Sequence, residues 1–222
     1  MCGRFTSTAT TDELMRRFGV TIKQNLRPRW NVAPSQSSLI LFRDGLHNRA
    51  INAQWGLPPA ARGNSFLINA RMETVRVKPT FRDAFSLSRC IIVASGWYEW
   101  SAPKTPWHIQ HFDGGVMAMA GLLFRQHAQL RFVIMTSAVD GELAQIHHRQ
   151  PLVLDAEAEA VWLGGSADAA AACCKAAPAS WFNWYRVSPD VGKTALDHPE
   201  LVTPLAGDAL LPAAPDQGDL FD

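Results

Sequence analysis

The chain has 222 residues, 47% hydrophobic and 18% charged, with a net charge of +1. That balance suits a folded domain with a substantial core, and no apolar run approaches the roughly 20 residues that span a bilayer. The small total conceals a gradient, because residues 1–104 hold 15 Lys and Arg against 6 Asp and Glu, and residues 105–222 hold 6 against 14.

In chain order, TTDELMRRFGV predicts a short helix. Thr10 or Thr11 can cap it, Asp12 and Glu13 suit its positive end, Leu14 and Phe18 share a face, and Gly19 stops it. RPRWNVAPSQ reads as a Pro-punctuated loop, SSLILFRDG as a strand, and NRAINAQWG as its hairpin partner. PPAARGNS is a loop carrying Arg62. RCIIVASGWYEW, PWHIQHF, VMAMAGLLF, LRFVIMTSA and WFNWYRVS are β-like runs rich in branched and aromatic residues. KPTFRDAFSLS, GELAQIHH, EAEAVWLG and ADAAAACCKAA read as helical. The pattern predicts an α+β domain over residues 2–205, with a mostly antiparallel, barrel-like sheet and peripheral short helices. Residues 206–222, rich in Pro, Ala and Asp, read as a disordered tail.

The four cysteines (Cys2, Cys90, Cys173 and Cys174) have no CxxC spacing, and Cys173 and Cys174 read as helix packing residues. This is a reduced, cytoplasmic pattern, and the polar amino terminus has no signal-peptide character. The ligand spacing matches no zinc pattern, so neither a metal nor a cofactor is expected. The amino-terminal cations are mostly arginines, which favour bidentate phosphate or base contacts, so nucleic acid stands as a partner class. The alternative is a solvated surface whose charges intermix on folding.

Four segments place polar residues where a plain sheet needs none: MCGRF, INARMET, ASGWYEW and IHHRQPLVL. Loss of Met1 would give Cys2 a free α-amine beside its thiol, although a buried small hydrophobe is the blander reading. In INARMET, period-two alternation puts Asn69 and Arg71 on one side of an extended segment. Glu99 lies between Tyr98 and Trp100, where desolvation would raise its pKa and suit it to proton transfer. His147 and His148 precede Arg149 and Pro151. Each residue has an ordinary alternative: Asn69 as a turn cap, Glu99 as an arginine partner, a histidine as a satisfied surface group.

MCGRF, RWNVAP, INARMET, FRDAF, CIIVASGWYEW, IHHRQPLVL and RVSPDVG, in that order, resemble the SOS response-associated peptidase (SRAP) family from Cys2 to about Pro204. The resemblance implies a protein that crosslinks to abasic sites in single-stranded DNA, nucleoid-associated and monomeric, with no membrane role. It implies Cys2 as nucleophile through amine and thiol, Asn69 as the positioning amide, Glu99 as the proton-transfer carboxylate and His147 as the promoter of sugar-ring opening. Arg4, Arg71 and Arg149 match backbone-contact positions, with Trp100 and Thr136 as further contacts. A 1,2-aminothiol condenses with an aldehyde to an imine and then a thiazolidine, and the tethered sulfur closes the ring before strand cleavage can follow. Family tryptophans in the loop after AQWG are missing here, so either base stacking is weaker or Arg62 takes it over by cation and planar contact.

QGDLF near the carboxyl end resembles peptides that dock on bacterial sliding clamps, through Gln217, Leu220 and Phe221. Two other classes stay open. Cys2 could serve an N-terminal-thiol (auto)peptidase, or the chain could bind single strands without covalent chemistry.

Overall fold

The computed structural model describes residues 2–59, 66–101, 104–126 and 128–208. Arg62, Gln217, Leu220 and Phe221 lie outside the described residues. In chain order the first strands are β1 (Phe5–Ser7), β2 (Arg29–Val32), β3 (Ser37–Asp44), β4 (His47–Trp55), β5 (Asn69–Arg71), β6 (Arg89–Ala94) and β7 (Gly96–Ser101). They are followed by β8 (Thr105–His111), β9 (Met117–Gln126), β10 (Gln129–Ala138), β11 (Arg149–Pro151), β12 (Val153–Leu154) and β13 (Phe182–Arg186). The helices are α1 (Thr11–Phe18), α2 (Arg82–Leu87), α3 (Ala156–Gly164) and α4 (Ala167–Cys173).

The expected α+β architecture is present. β3 pairs with β4 and β6, β6 with β9, β9 with β10, and β10 returns to β4, so five strands close into a ring. Closure leaves these strands without long open edges. The β4–β10 contact is parallel, as is β5 against β10, while the remaining pairings are antiparallel. A second, five-stranded sheet has the order β13-β8-β7-β1-β2. The single run RCIIVASGWYEW supplies a strand to each sheet, changing over at Ser95. Gly96 follows because a Cβ there would collide with the His108 ring and the Ile109 carbonyl.

Period-two alternation divides the ring residues between two cores. Leu41, Ile91, Val93, Ala120 and Val133 pack beneath Leu14, Phe18, Phe85 and Trp162 of the helices. Ile40, Ile92, Met119, Phe132 and Ile134 pack with Phe5, Trp97 and Phe182 of the second sheet. α1 forms as its sequence dictates. Thr10 and Glu13 make a reciprocal capping box, and Gly19 ends the helix at φ 61°. Buried Arg89 donates to the Phe85 and Trp162 carbonyls at 2.7 and 2.5 Å, tying α2 and α3 to the ring.

GELAQIHH departs from helical expectation, forming only a 3-10 turn at Gly141–Gln145. Gly141 enters at positive φ, and the chain must be extended again by Arg149 to pair with Ala138 of β10. No described helix is long and apolar enough to cross a membrane.

Candidate active site

The segment beginning at Cys2 is held between the two sheets. β1 pairs with β7 through Phe5 and Trp97, and the Tyr98 amide donates to the Arg4 carbonyl at 2.9 Å. Cys2 is thereby fully buried. Asn69 Nδ2 donates to the Cys2 carbonyl at 2.9 Å, which also fixes the orientation of the amide. β5 can place Asn69 there because it pairs with the second half of β10, Asn69 opposite Ile134 and Arg71 opposite Thr136. Ala70 is buried, Asn69 half-buried and Arg71 exposed.

Glu99 is 4% exposed on β7. Alternation directs Trp97 and Glu99 to one face and Tyr98 and Trp100 to the other. Burial pushes the Glu99 carboxyl up to about 7, against the opposing positive charge of the chain's amino terminus. Glu99 is desolvated by its burial, while the flanking Tyr98 and Trp100, from which desolvation was expected, face the other way. Burial, reinforced by the Glu99 charge, also pushes the Cys2 thiol well above its ordinary range.

His147 follows the 3-10 turn, and the Arg149 amide donates to its Nδ1 at 3.0 Å. The Arg149 carbonyl also lies 3.2 Å from Nδ1, and in the tautomer whose Nδ1–H donates to it the other nitrogen, Nε2, is free to accept a proton. Burial and then the terminal positive charge lower its pKa. His148 is exposed and stacks on His147, ring centroids 4.4 Å apart. Glu99 and His147 line one small cavity with Trp97, Arg149 and Gln150. An amide, a carboxyl that titrates near neutrality and a neutral imidazole therefore lie about the segment that carries Cys2. Such a set can move protons for a reacting amine.

The other singled-out residues divide by location. Arg149 is buried and forks onto Glu73 at 2.6 and 3.0 Å, and also donates to the Thr136 carbonyl at 2.6 Å and its hydroxyl at 3.2 Å. Fully buried Thr136 thus joins β10 to this ion pair. Trp100 packs beside the cluster of Tyr98, Tyr185, Val187, Val191 and Leu201, on the face away from Glu99. Arg4 is buried, donating to Asn31 Oδ1 at 2.8 Å and to the Val191 carbonyl at 2.9 Å. The fold therefore gathers Cys2, Asn69, Glu99, His147, Arg149 and Thr136, keeps Arg71 exposed beside them, and leaves Arg4 and Trp100 on the far side of the second sheet.

Glu73, Trp97 and Gln150 escaped the reading of the sequence. Glu73 lies in the turn that follows β5, so the period-two pattern of INARMET does not extend to it. Among the described residues, no group of three His, Cys, Asp or Glu side chains could hold a metal ion.

A family model described as SOS response associated peptidase (SRAP) matches residues 1–194. The chain is 32% identical over 222 residues to the abasic site processing protein YedK of Escherichia coli, covering 92% of this chain and 100% of that one. It is 35% identical over 179 residues to the abasic site processing protein YoaM of Bacillus subtilis, covering 73% and 79%. A solved protein from Bacteroides thetaiotaomicron shares the fold with a TM-score of 0.78 at 22% identity, covering 91% and 99%. A phage-related protein from Bordetella bronchiseptica gives 0.73 at 25% identity, covering 84% and 94%. With the family match extending over most of its length, the chain belongs to the SOS response associated peptidase (SRAP) family.

Proposed function

We propose that the protein recognises abasic sites in single-stranded DNA and joins itself to them through Cys2, after loss of Met1, as a thiazolidine. The carrying observation is the Asn69 hydrogen bond to the Cys2 carbonyl, beside a buried Glu99 whose charge is felt at the Cys2 thiol. The relatives named abasic site processing proteins support the choice of lesion. In the ring-opened lesion, C1′ is an aldehyde. The Cys2 amine adds to it and water leaves, giving an imine. The thiol then adds across the C=N bond, sulfur to carbon and hydrogen to nitrogen, which closes the five-membered ring. Glu99 accepts the proton of the ammonium, and His147 supplies one to the sugar oxygen during ring opening.

The raised pKa of Cys2 bears on the order of events. A buried neutral thiol is a poor first nucleophile, so the amine leads. The same property counts against the peptidase reading, which needs an activated thiolate. Exposed Arg71 suits a flanking phosphate. Arg149, held by Glu73 and Thr136, shapes the wall of the site, and Arg4 and Trp100 keep the second sheet in place behind it.

Intact mass first establishes that Met1 is gone. The trimmed protein, incubated with an abasic single-stranded oligonucleotide, is expected to give a heat-stable shifted band on a denaturing gel. Cys2→Ala and amino-terminal acetylation should each abolish it. A band of undiminished strength from acetylated protein overturns the proposal.

The QGDLF tail supports a separate proposal, docking on a bacterial sliding clamp, and removal of residues 217–222 should abolish clamp binding in a pull-down with purified clamp.

A further inference from the structure

Four atoms stand out around the Glu99 cavity. Trp97 Nε1, Ser137 Oγ, Gln150 Oε1 and Arg149 Nε are buried and have no hydrogen-bond partner among the described residues. Trp97 is 1% exposed, Ser137 1% and Gln150 2%. Buried polar atoms nearly always have partners, and those that lack a protein partner are usually served by ordered water.

Trp97 and Gln150 both line the cavity that Glu99 and His147 line, and Ser137 is the cross-strand neighbour of Gln150. Gln150 Nε2 donates to the Ala177 carbonyl at 2.9 Å, so its amide cannot turn without losing that bond. Its acceptor oxygen is therefore held in place. The indole N–H of Trp97 supplies the complementary donor, its ring braced edge-on against Phe182 at 5.0 Å. The cavity that both residues line leaves about 10 Å³ in which a water can be centred, close to what one molecule requires. Val139, Leu143 and Ile146 close the apolar side.

We infer that Trp97 and Gln150 form a seat for a single water that bridges Glu99 and His147 and passes a proton between them. The inference rests on the crosslinking reading for its purpose, but the seat itself rests only on the unpaired atoms and the cavity. Glu99, having taken the ammonium proton, gives it to the water oxygen, while the water releases one of its own protons to Nε2 of His147, in the tautomer whose Nδ1–H faces the Arg149 carbonyl at 3.2 Å. Carboxylate and water are regenerated, and the imidazolium is ready to protonate the sugar oxygen. Every proton is accounted for, and no co-reactant is needed. Trp97 and Gln150 are positioning residues, since they act through the water. The charged and titratable groups lining this cavity are Glu99 from β7 and His147 and Arg149 from the segment entering β11, with the Cys2 thiol close enough to Glu99 to feel its charge.

Two measurements test this. A high-resolution crystal structure of the unsubstituted, trimmed protein should show an ordered water within hydrogen-bond distance of both Trp97 Nε1 and Gln150 Oε1. A dry cavity overturns the inference whatever the chemistry. Gln150→Met and Trp97→Phe, confirmed as folded by thermal melting, should each slow crosslinking about ten-fold or more and displace the pH optimum. Binding of an oligonucleotide carrying a tetrahydrofuran abasic analogue, which cannot react, should be unchanged. Wild-type rates and pH profiles in both variants overturn the relay. If Glu99→Gln and Cys2→Ala also crosslink normally, the proposed function fails instead, and the crystallographic water alone judges the seat.

Discussion

Glu99 is the residue whose environment costs the fold most visibly. Its carboxyl titrates near 7 when folded against an ordinary value of 4.5, with burial as the leading cause. The folded state therefore holds this proton more tightly than the unfolded one. Below about pH 4.5 both states are protonated and the site imposes no penalty. As pH rises through 7, stability is lost, by on the order of 3 kcal/mol for a shift of this size. His147, whose pKa is lowered, has the opposite sign and costs stability as pH falls below its ordinary value of 6.5. Urea melts of Glu99→Gln and wild type at pH 5 and pH 8 should separate the two. The substituted protein should gain relative stability at pH 8, and an equal difference at both pH values refutes the assignment. Asn69→Ala tests the other local device. Loss of its bond to the Cys2 carbonyl should cost about 1 kcal/mol of stability and slow the covalent step more than DNA binding, measured on reactive and unreactive oligonucleotides.

Among the elements, β9 carries the greatest packing constraint. At Gly121 its neighbours are Cys90 of β6 on one side and Ile134 of β10 on the other. A Cβ there would collide with Ile92 Cδ1 and stand 2.9 Å from the Val133 carbonyl. Gly121→Val should destabilise the protein by about 1–3 kcal/mol, with a lowered thermal midpoint as the readout. The elements also show what local pattern can decide. α1 was legible because its cap, amphipathic face and stop signal lie within ten residues. β5 was legible as extended with Asn69 and Arg71 on one side, since alternation is local. Its parallel pairing with β10 was not, because nothing in INARMET names a partner more than 60 residues away. The 3-10 turn at Gly141–Gln145 was read as helix because its composition is helical and its brevity is set by β11.

For the whole molecule, the cations of the charge gradient differ in what they can reach. Arg4, Arg89 and Arg149 are buried and bonded to carbonyls or side chains of the protein. Arg71, Arg76, Lys78 and Arg82 are exposed along the segment leading from β5 into α2. The exposed cations beside the site can neutralise phosphates where the buried ones cannot, so binding should be salt-dependent. Arg71→Ala is expected to weaken binding to abasic-analogue single strands and flatten the plot of log affinity against log salt by about 0.7. Arg4→Ala should leave that slope unchanged and lower the melting temperature, because it removes two buried hydrogen bonds. A reversal of these outcomes would reassign the contact surface.

The sequence by itself determined the fold class, the family motifs and the chemical types at the site, because caps, alternation and ordered motifs are local properties of the chain. Tertiary structure alone decided which of those residues meet. Ring closure brings β5 and β11 to the end of β10, and the crossing from β6 to β7 turns Glu99 toward them. The same alternation sends Trp100 to the opposite face. Long-range pairing also gives Arg149 its Glu73 partner and aims Trp97 and Gln150 into one cavity. None of these contacts is encoded by spacing along the chain, since each depends on segments that burial of a shared core brings together.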